Sequence, residues 1–188
     1  MLMLMVTLLG IASVPLAGGS LAALTEVRLR HAWLIPTALA IQVYITTIAP
    51  NGSRGAHVAA HLGSYLLAGV FVLTNRDVPL IWLVALGGAL NLLVIAMNGG
   101  VMPADADALR RAGWPSASDQ FENSIALAHP KLLFLGDVFA VPRWMPFANV
   151  FSIGDVLLVL GGIAVVHRLC GSRLAGRQPI RPQEPTAP

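Results

Sequence analysis

Residues 136–162 read GDVFAVPRWMPFANVFSIGDVLLVLGG. From about Asn149 this becomes an apolar run that reaches Leu169, close to the roughly 20 residues a membrane span needs, yet it contains Asp155, and Asp137 lies just ahead of it. A carboxylate about two turns inside an apolar helix is expensive unless it faces protein or water, so such a residue marks a functional site. Helical spacing places Phe151, Ser152, Asp155, Val159 and Gly162 on one face, flanked by Gly154 and Gly161. Ser152 is then set to hydrogen-bond Asp155, and Gly162 to admit a neighbouring helix. Asp155 is expected to point along a close-packed seam.

The rest of the chain agrees with a lipid setting. Its 188 residues are 56% hydrophobic and 11% charged, with a mean hydropathy of +0.72, outside the balance of soluble domains. An all-α, polytopic membrane bundle of about five helices is predicted. The net charge of +3 comes from arginines spread over loop ends and the tail, which fits membrane orientation and not nucleic acid. The single cysteine, Cys170, excludes an intrachain disulfide framework and a cysteine-only zinc site.

Spans are expected at about 2–24, 33–50, 56–74, 80–97 and 149–169, within one membrane domain, 1–169. Residues 1–24 have the apolar core and small residues of a cleavable signal peptide, but no Lys or Arg precedes the core, so a first span is preferred. Gln42 is placed to hydrogen-bond a neighbouring helix, and Gly87-Gly88-Ala89 to allow close helix contact. The long loop, 98–148, opens with the turn Asn98-Gly-Gly-Val-Met-Pro103. A short surface helix follows over Asp105–Arg111, then an apolar but broken segment, 124–141, read as interfacial or re-entrant. Residues 170–188 read as a basic, Pro-rich disordered tail.

Five spans put the termini on opposite sides. Counting Lys and Arg in short loops and at span ends favours the N-terminus outside and the C-terminus in the cytoplasm, with the aspartates toward the outer leaflet.

The connection from Asp137 through Pro142, Trp144 and Pro146 is short enough to return Asp137 above Asp155. Two carboxylates sharing a proton can activate a water. The plainer alternative has Asp137 pinning the loop, against Arg143 for instance, and Asp155 hydrogen-bonding the bundle; a structural Asp155 predicts a nearly silent Asp155→Asn. His57 and His61 have metal-ligand spacing, but no third ligand is placed beside them, and two histidines packing a helix end is the simpler account. No metal and no cofactor is expected. The Asn98 turn is set to point amides at an anion or at Asp137.

The run MPFANVFSIGDVLLVLGG, with Gly87-Gly-Ala-Leu90, resembles the last helices of lipoprotein signal peptidase, an aspartic peptidase. That resemblance implies a catalytic Asp155. The family's other aspartate has no counterpart after Gly-Gly-Ala, where Asn91 and Asn98 stand, so Asp137 takes that role. Over nearly the whole chain, the order Asn-Gly-Gly-x-Met-Pro at 98–103, Leu-Gly-Asp at 135–137 and Ser-Ile-Gly-Asp at 152–155 resembles a family of small bacterial membrane proteins of unknown function.

The expectation is thus a protein of the bacterial cytoplasmic membrane with a polar site near the outer leaflet. Asp137 and Asp155, with Asn98, Asn149 and Ser152, would bind a small ligand, a lipid headgroup or a membrane-protein partner. The alternative is an aspartic hydrolase in which Asp155 and Asp137 alternate as base and acid. Oligomeric state is left open.

Overall fold

The structure is a computed structural model and describes residues 2–49, 53–114 and 124–176. It is mostly helical with little sheet. The bundle consists of α1 (Leu2–Leu16), α2 (Leu34–Val43, continued by a π-helical turn Tyr44–Ile48), α3 (Arg54–Thr74), α4 (Ile81–Met97) and, after a long connection containing α5 (Ala106–Ala112), α6 (Ile153–Leu169). By length and composition one of them, α3, with 21 residues and a mean hydropathy of 1.6, is long and apolar enough to cross a membrane. The others in the bundle are shorter.

Helix boundaries follow local chemistry. α1 stops at Leu16 and not near Leu24, because Pro15 lies in its last turn and Gly18 follows with φ +74°; Leu21–Glu26 is a separate 3-10 helix. α6 starts at Ile153 and not at Asn149. Residues Asn149–Phe151 are extended, and Ser152 caps the helix. Asp155 therefore sits in the first turn of α6, a correction to its expected place two turns deep. The expected end of the second span, Pro50, lies outside the described residues.

α4 and α6 run antiparallel, with Gly154 against Gly87 and Asn91, and Gly161 against Leu83 and Val84. α1 runs parallel to α6: Gly10 packs on Ile163, and His167 Nε2 meets Gly10 O at 3.0 Å and Ser13 Oγ at 3.1 Å. Residues 170–176 continue this packing and are not part of a loose tail. Cys170 and Ser172 are buried, and Arg173 donates its N–H to Ala17 O at 3.0 Å.

The connection between α4 and α6 folds as a cap over one end of the bundle. β1 (Met102–Pro103) pairs parallel with β2 (Ser124–Ile125), and Ala104 bridges to Asp137. β3 (Phe139–Val141) pairs antiparallel with β4 (Asn149–Phe151). These short strands correct the all-α expectation. In a stretch broken by Pro and Gly, backbone groups find partners across the chain because they cannot form an i−4 ladder. The 124–141 segment thus becomes β2, a 3-10 turn (Leu133–Leu135) and β3, with Leu132 and Leu135 packed on Val94, Ile95 and Met102. α5 has Asp105 as its N-cap and Gly113 as its C-cap, near the expected bounds, but its Ala108 and Leu109 are buried in a small core with Val150.

Two C-cap asparagines tie the layers together. Asn75, after α3, exchanges two hydrogen bonds with the backbone of Arg30, both 2.8 Å; Asn98, after α4, does the same with Lys131, again both 2.8 Å. Each side chain imitates a strand pairing. Asn98→Ala is expected to lose about 0.5–1.5 kcal/mol of stability, visible as a lower unfolding midpoint; an unchanged midpoint would mean the clamp is idle.

Candidate functional site

The seam between α4 and α6 is built on glycine. A Cβ on Gly87 would lie 2.7 Å from Gly154 O and 2.8 Å from Leu158 N, and one on Gly154 would collide with the Asn91 side chain and stand 2.9 Å from Gly87 O. Gly161 completes the line against α4, whereas Gly162 has nothing within 4 Å of its Cβ position. The seam therefore runs through Gly154 and Gly161, not through Gly162 as expected from the helical face of Asp155.

This close approach brings Asn91 onto the start of α6. The Asn91 amide donates to Asp155 Oδ1 at 2.7 Å, and its carbonyl oxygen accepts from Ser152 Oγ at 3.0 Å. Ser152 N donates to Asp155 Oδ2 at 3.0 Å, and Asp155 N donates back to Ser152 Oγ at 3.0 Å. Ser152 and Asp155 thus form a capping box, with Asn91 locked across it. Both carboxylate oxygens of Asp155 accept, so an amide in its place would turn one donor against another. Asp155→Asn is expected to lose about 1–3 kcal/mol, which thermal unfolding reads directly; a silent substitution would disprove the lock and restore the simpler expectation.

Asp137 comes from the cap. Its N–H donates to Pro103 O at 2.9 Å, and its own carbonyl accepts from Asp105 N at 3.0 Å. The backbone is thereby fixed and the side chain is 4% exposed. Ser124 Oγ donates to Oδ2. Oδ1 is buried without a hydrogen-bond partner. Loss of solvent pushes the carboxyl up to about 7; Ser124 opposes the shift and the Asp155 charge adds to it. Asp137 does not pair with Arg143, whose N–H donates to Arg111 O at 2.9 Å.

Asp137 and Asp155 face one cavity of about 560 Å³. α2 contributes Gln42 and, from its π-helical turn, Thr46; α3 contributes His61 and Tyr65; α4 contributes Asn91; Asn149, Ser124 and Trp114 close the cap side. Gln42 donates its amide to Ser64 Oγ at 2.6 Å, the interhelical bond expected of it, but its Oε1 is also buried without a partner. His61 Nδ1 donates to Gly100 O at 3.0 Å, and its ring lies 5.6 Å from that of Tyr65. The lining is rich in acceptors and contains two carboxylates.

Of the expected site residues, Asp137, Asp155 and Asn149 line this cavity together. Ser152 stands behind Asp155, fully buried, and Asn98 is occupied at the Lys131 clamp, away from the lining. His57 is buried with ring nitrogens on Ser53 O and Ala49 O. Among the described residues no group of three or more His, Cys, Asp or Glu is placed to hold a metal ion.

Several lining residues were not expected at this site. Asn91 is a strongly polar group in an otherwise apolar 17-residue helix, and the desolvation argument that singled out Asp155 applies to it equally. His61 and Tyr65 are one turn apart on α3, so their shared face was legible. Trp114 and Ser124 had no such signal, because the cap that places them has no periodicity.

Fold and cavity define a mostly helical protein, capped at one end, with a polar, acidic hollow between the cap and four of its helices. The chain belongs to the family of unknown function DUF5317, whose model matches residues 26–167. No curated protein matches it. No solved structure matches it either.

Proposed function

We propose that the protein is a five-span protein of the bacterial cytoplasmic membrane, N-terminus outside, whose cavity binds a small ligand rich in hydrogen-bond donors, an ammonium group above all. The membrane reading is supported by an inverted surface. Leu8, Leu39, Leu66, Leu93 and Leu160 are exposed on five different helices, while Asn91, His61 and Ser64 are buried between them. Water disfavours such a surface and hydrocarbon favours it. α4 and α6, at 17 residues each, reach the lower end of a spanning length.

The binding reading rests on the two buried acceptors without partners, Asp137 Oδ1 and Gln42 Oε1, in one cavity. An unpaired buried acceptor costs about 1–3 kcal/mol, and a ligand N–H relieves that penalty. The test is titration of the protein in lipid nanodiscs with methylammonium and with acetate. Methylammonium should bind more tightly as pH rises through about 7, where Asp137 loses its proton, and Asp137→Asn should weaken it at least tenfold. Preference for acetate, or no binding of methylammonium, would refute the reading.

A second reading has its own support. Asp137 keeps its proton to about pH 7 and faces the same cavity as a second carboxylate, Asp155, and carboxyl groups that share a site divide acid and base roles in hydrolases. Hydrolysis of a lipopeptide by the reconstituted protein, lost in Asp137→Asn and Asp155→Asn variants that remain folded, would establish it. Turnover surviving either change would dismiss it.

A further inference from the structure

We infer that the natural ligand is an amphiphile whose amine headgroup enters the acidic cavity while its single hydrocarbon chain lies in the groove between α2, α3 and α4. This rests on the cavity reading and adds the ligand's class. Beside the polar cavity is a second hollow of about 460 Å³, bounded by Ala38 of α2, Ala68 and Gly69 of α3, and Gly88 of α4, with Leu158 of α6 among its lining. The two hollows are continuous in their walls, because Gln42 and Tyr65 line both. At that junction Gln42 holds one of the two unpaired acceptors. Small residues keep the groove open: nothing lies within 4 Å of the Cβ position of Gly69, and Gly88 meets only Leu158 Cδ2, at 3.9 Å. The α4–α6 seam uses its glycines for contact, whereas these glycines leave space. Among the described residues neither hollow is lined by Lys or Arg, and two carboxylates at the polar end favour an ammonium over a phosphate.

The experiment measures binding of methylamine, butylamine, dodecylamine and dodecanoate to the protein in nanodiscs, with empty nanodiscs as the partition reference. Dodecylamine should bind at least tenfold more tightly than butylamine after that correction, and dodecanoate should not compete. Gly88→Leu, which fills the groove, should abolish the chain-length gain and leave methylamine binding unchanged; Gly69→Leu serves if that variant does not fold. Asp137→Asn should abolish the preference for amine over carboxylate. Equal affinity for butylamine and dodecylamine, or a chain-length gain that survives the filled groove, overturns the inference. If methylamine still binds in that case, the cavity reading stands without the tail; if it does not, both fail.

Discussion

Gly154→Val is expected to leave little folded protein, because three heavy atoms would be forced into a crossing that has no room for one. A Cβ there already collides with Asn91 and stands 2.9 Å from Gly87 O, and neither obstacle can step aside. Gly87 belongs to a backbone, and Asn91 is held by Asp155 and Ser152. Overpacking a well-filled core costs about 1–3 kcal/mol where side chains can adjust; here helices must separate, so the loss should exceed that range. The control is eight residues along. Gly162→Ala adds a methyl into open space, and removing glycine from a helix interior is worth up to about 1 kcal/mol. Detergent-unfolding midpoints should fall steeply for Gly154→Val and rise for Gly162→Ala. A tolerated valine would mean that α4 and α6 do not cross as described.

Asp137→Asn is expected to stabilise the empty protein at alkaline pH while removing its affinity for ammonium. The folded protein holds the Asp137 proton up to about pH 7, and the ordinary value for the group is 3.8. Between those values the folded state binds more protons than the unfolded chain, so stability falls as pH rises through the window and the full penalty is present above it. At roughly 1.4 kcal/mol per unit over about 3 units, the buried charge costs on the order of 4 kcal/mol at pH 8. An asparagine can still accept from Ser124 and carries no charge to desolvate. The variant's midpoint should exceed that of the parent at pH 8 and converge with it near pH 4. Opposite effects on stability and binding would mark Asp137 as a group retained for its ligand. A variant less stable than the parent at pH 8 would show instead that the carboxylate holds the cap together.

Several features were legible in the residues because they depend on neighbours in sequence. Ser152 and Asp155 are three apart, and the predicted hydrogen bond between them is present, though as a capping box and not inside a span. The helices α3 and α4 lie within two residues of their expected bounds, since apolar runs closed by Asn75 and Asn98 announce their own ends. The strand at Asn149–Phe151 was hidden in the same apolar run as α6. Nothing local distinguishes three extended residues from a helical start when their partner, Phe139–Val141, lies across a Pro-containing turn.

The sequence by itself determined most of the helical elements and picked out Asp137 and Asp155, which line one cavity, because composition, spacing and desolvation act along the chain. Only the tertiary structure decided that Asn91 is the partner of Asp155, that Asn98 clamps the cap without lining the cavity, and that Gln42 and Asp137 share one hollow with an acceptor unpaired on each. Those facts depend on which helices touch and how closely. For Asn91 and Asp155 that was set by Gly87, Gly154 and Gly161, whose missing side chains let α4 and α6 approach closely enough to join residues far apart in the chain.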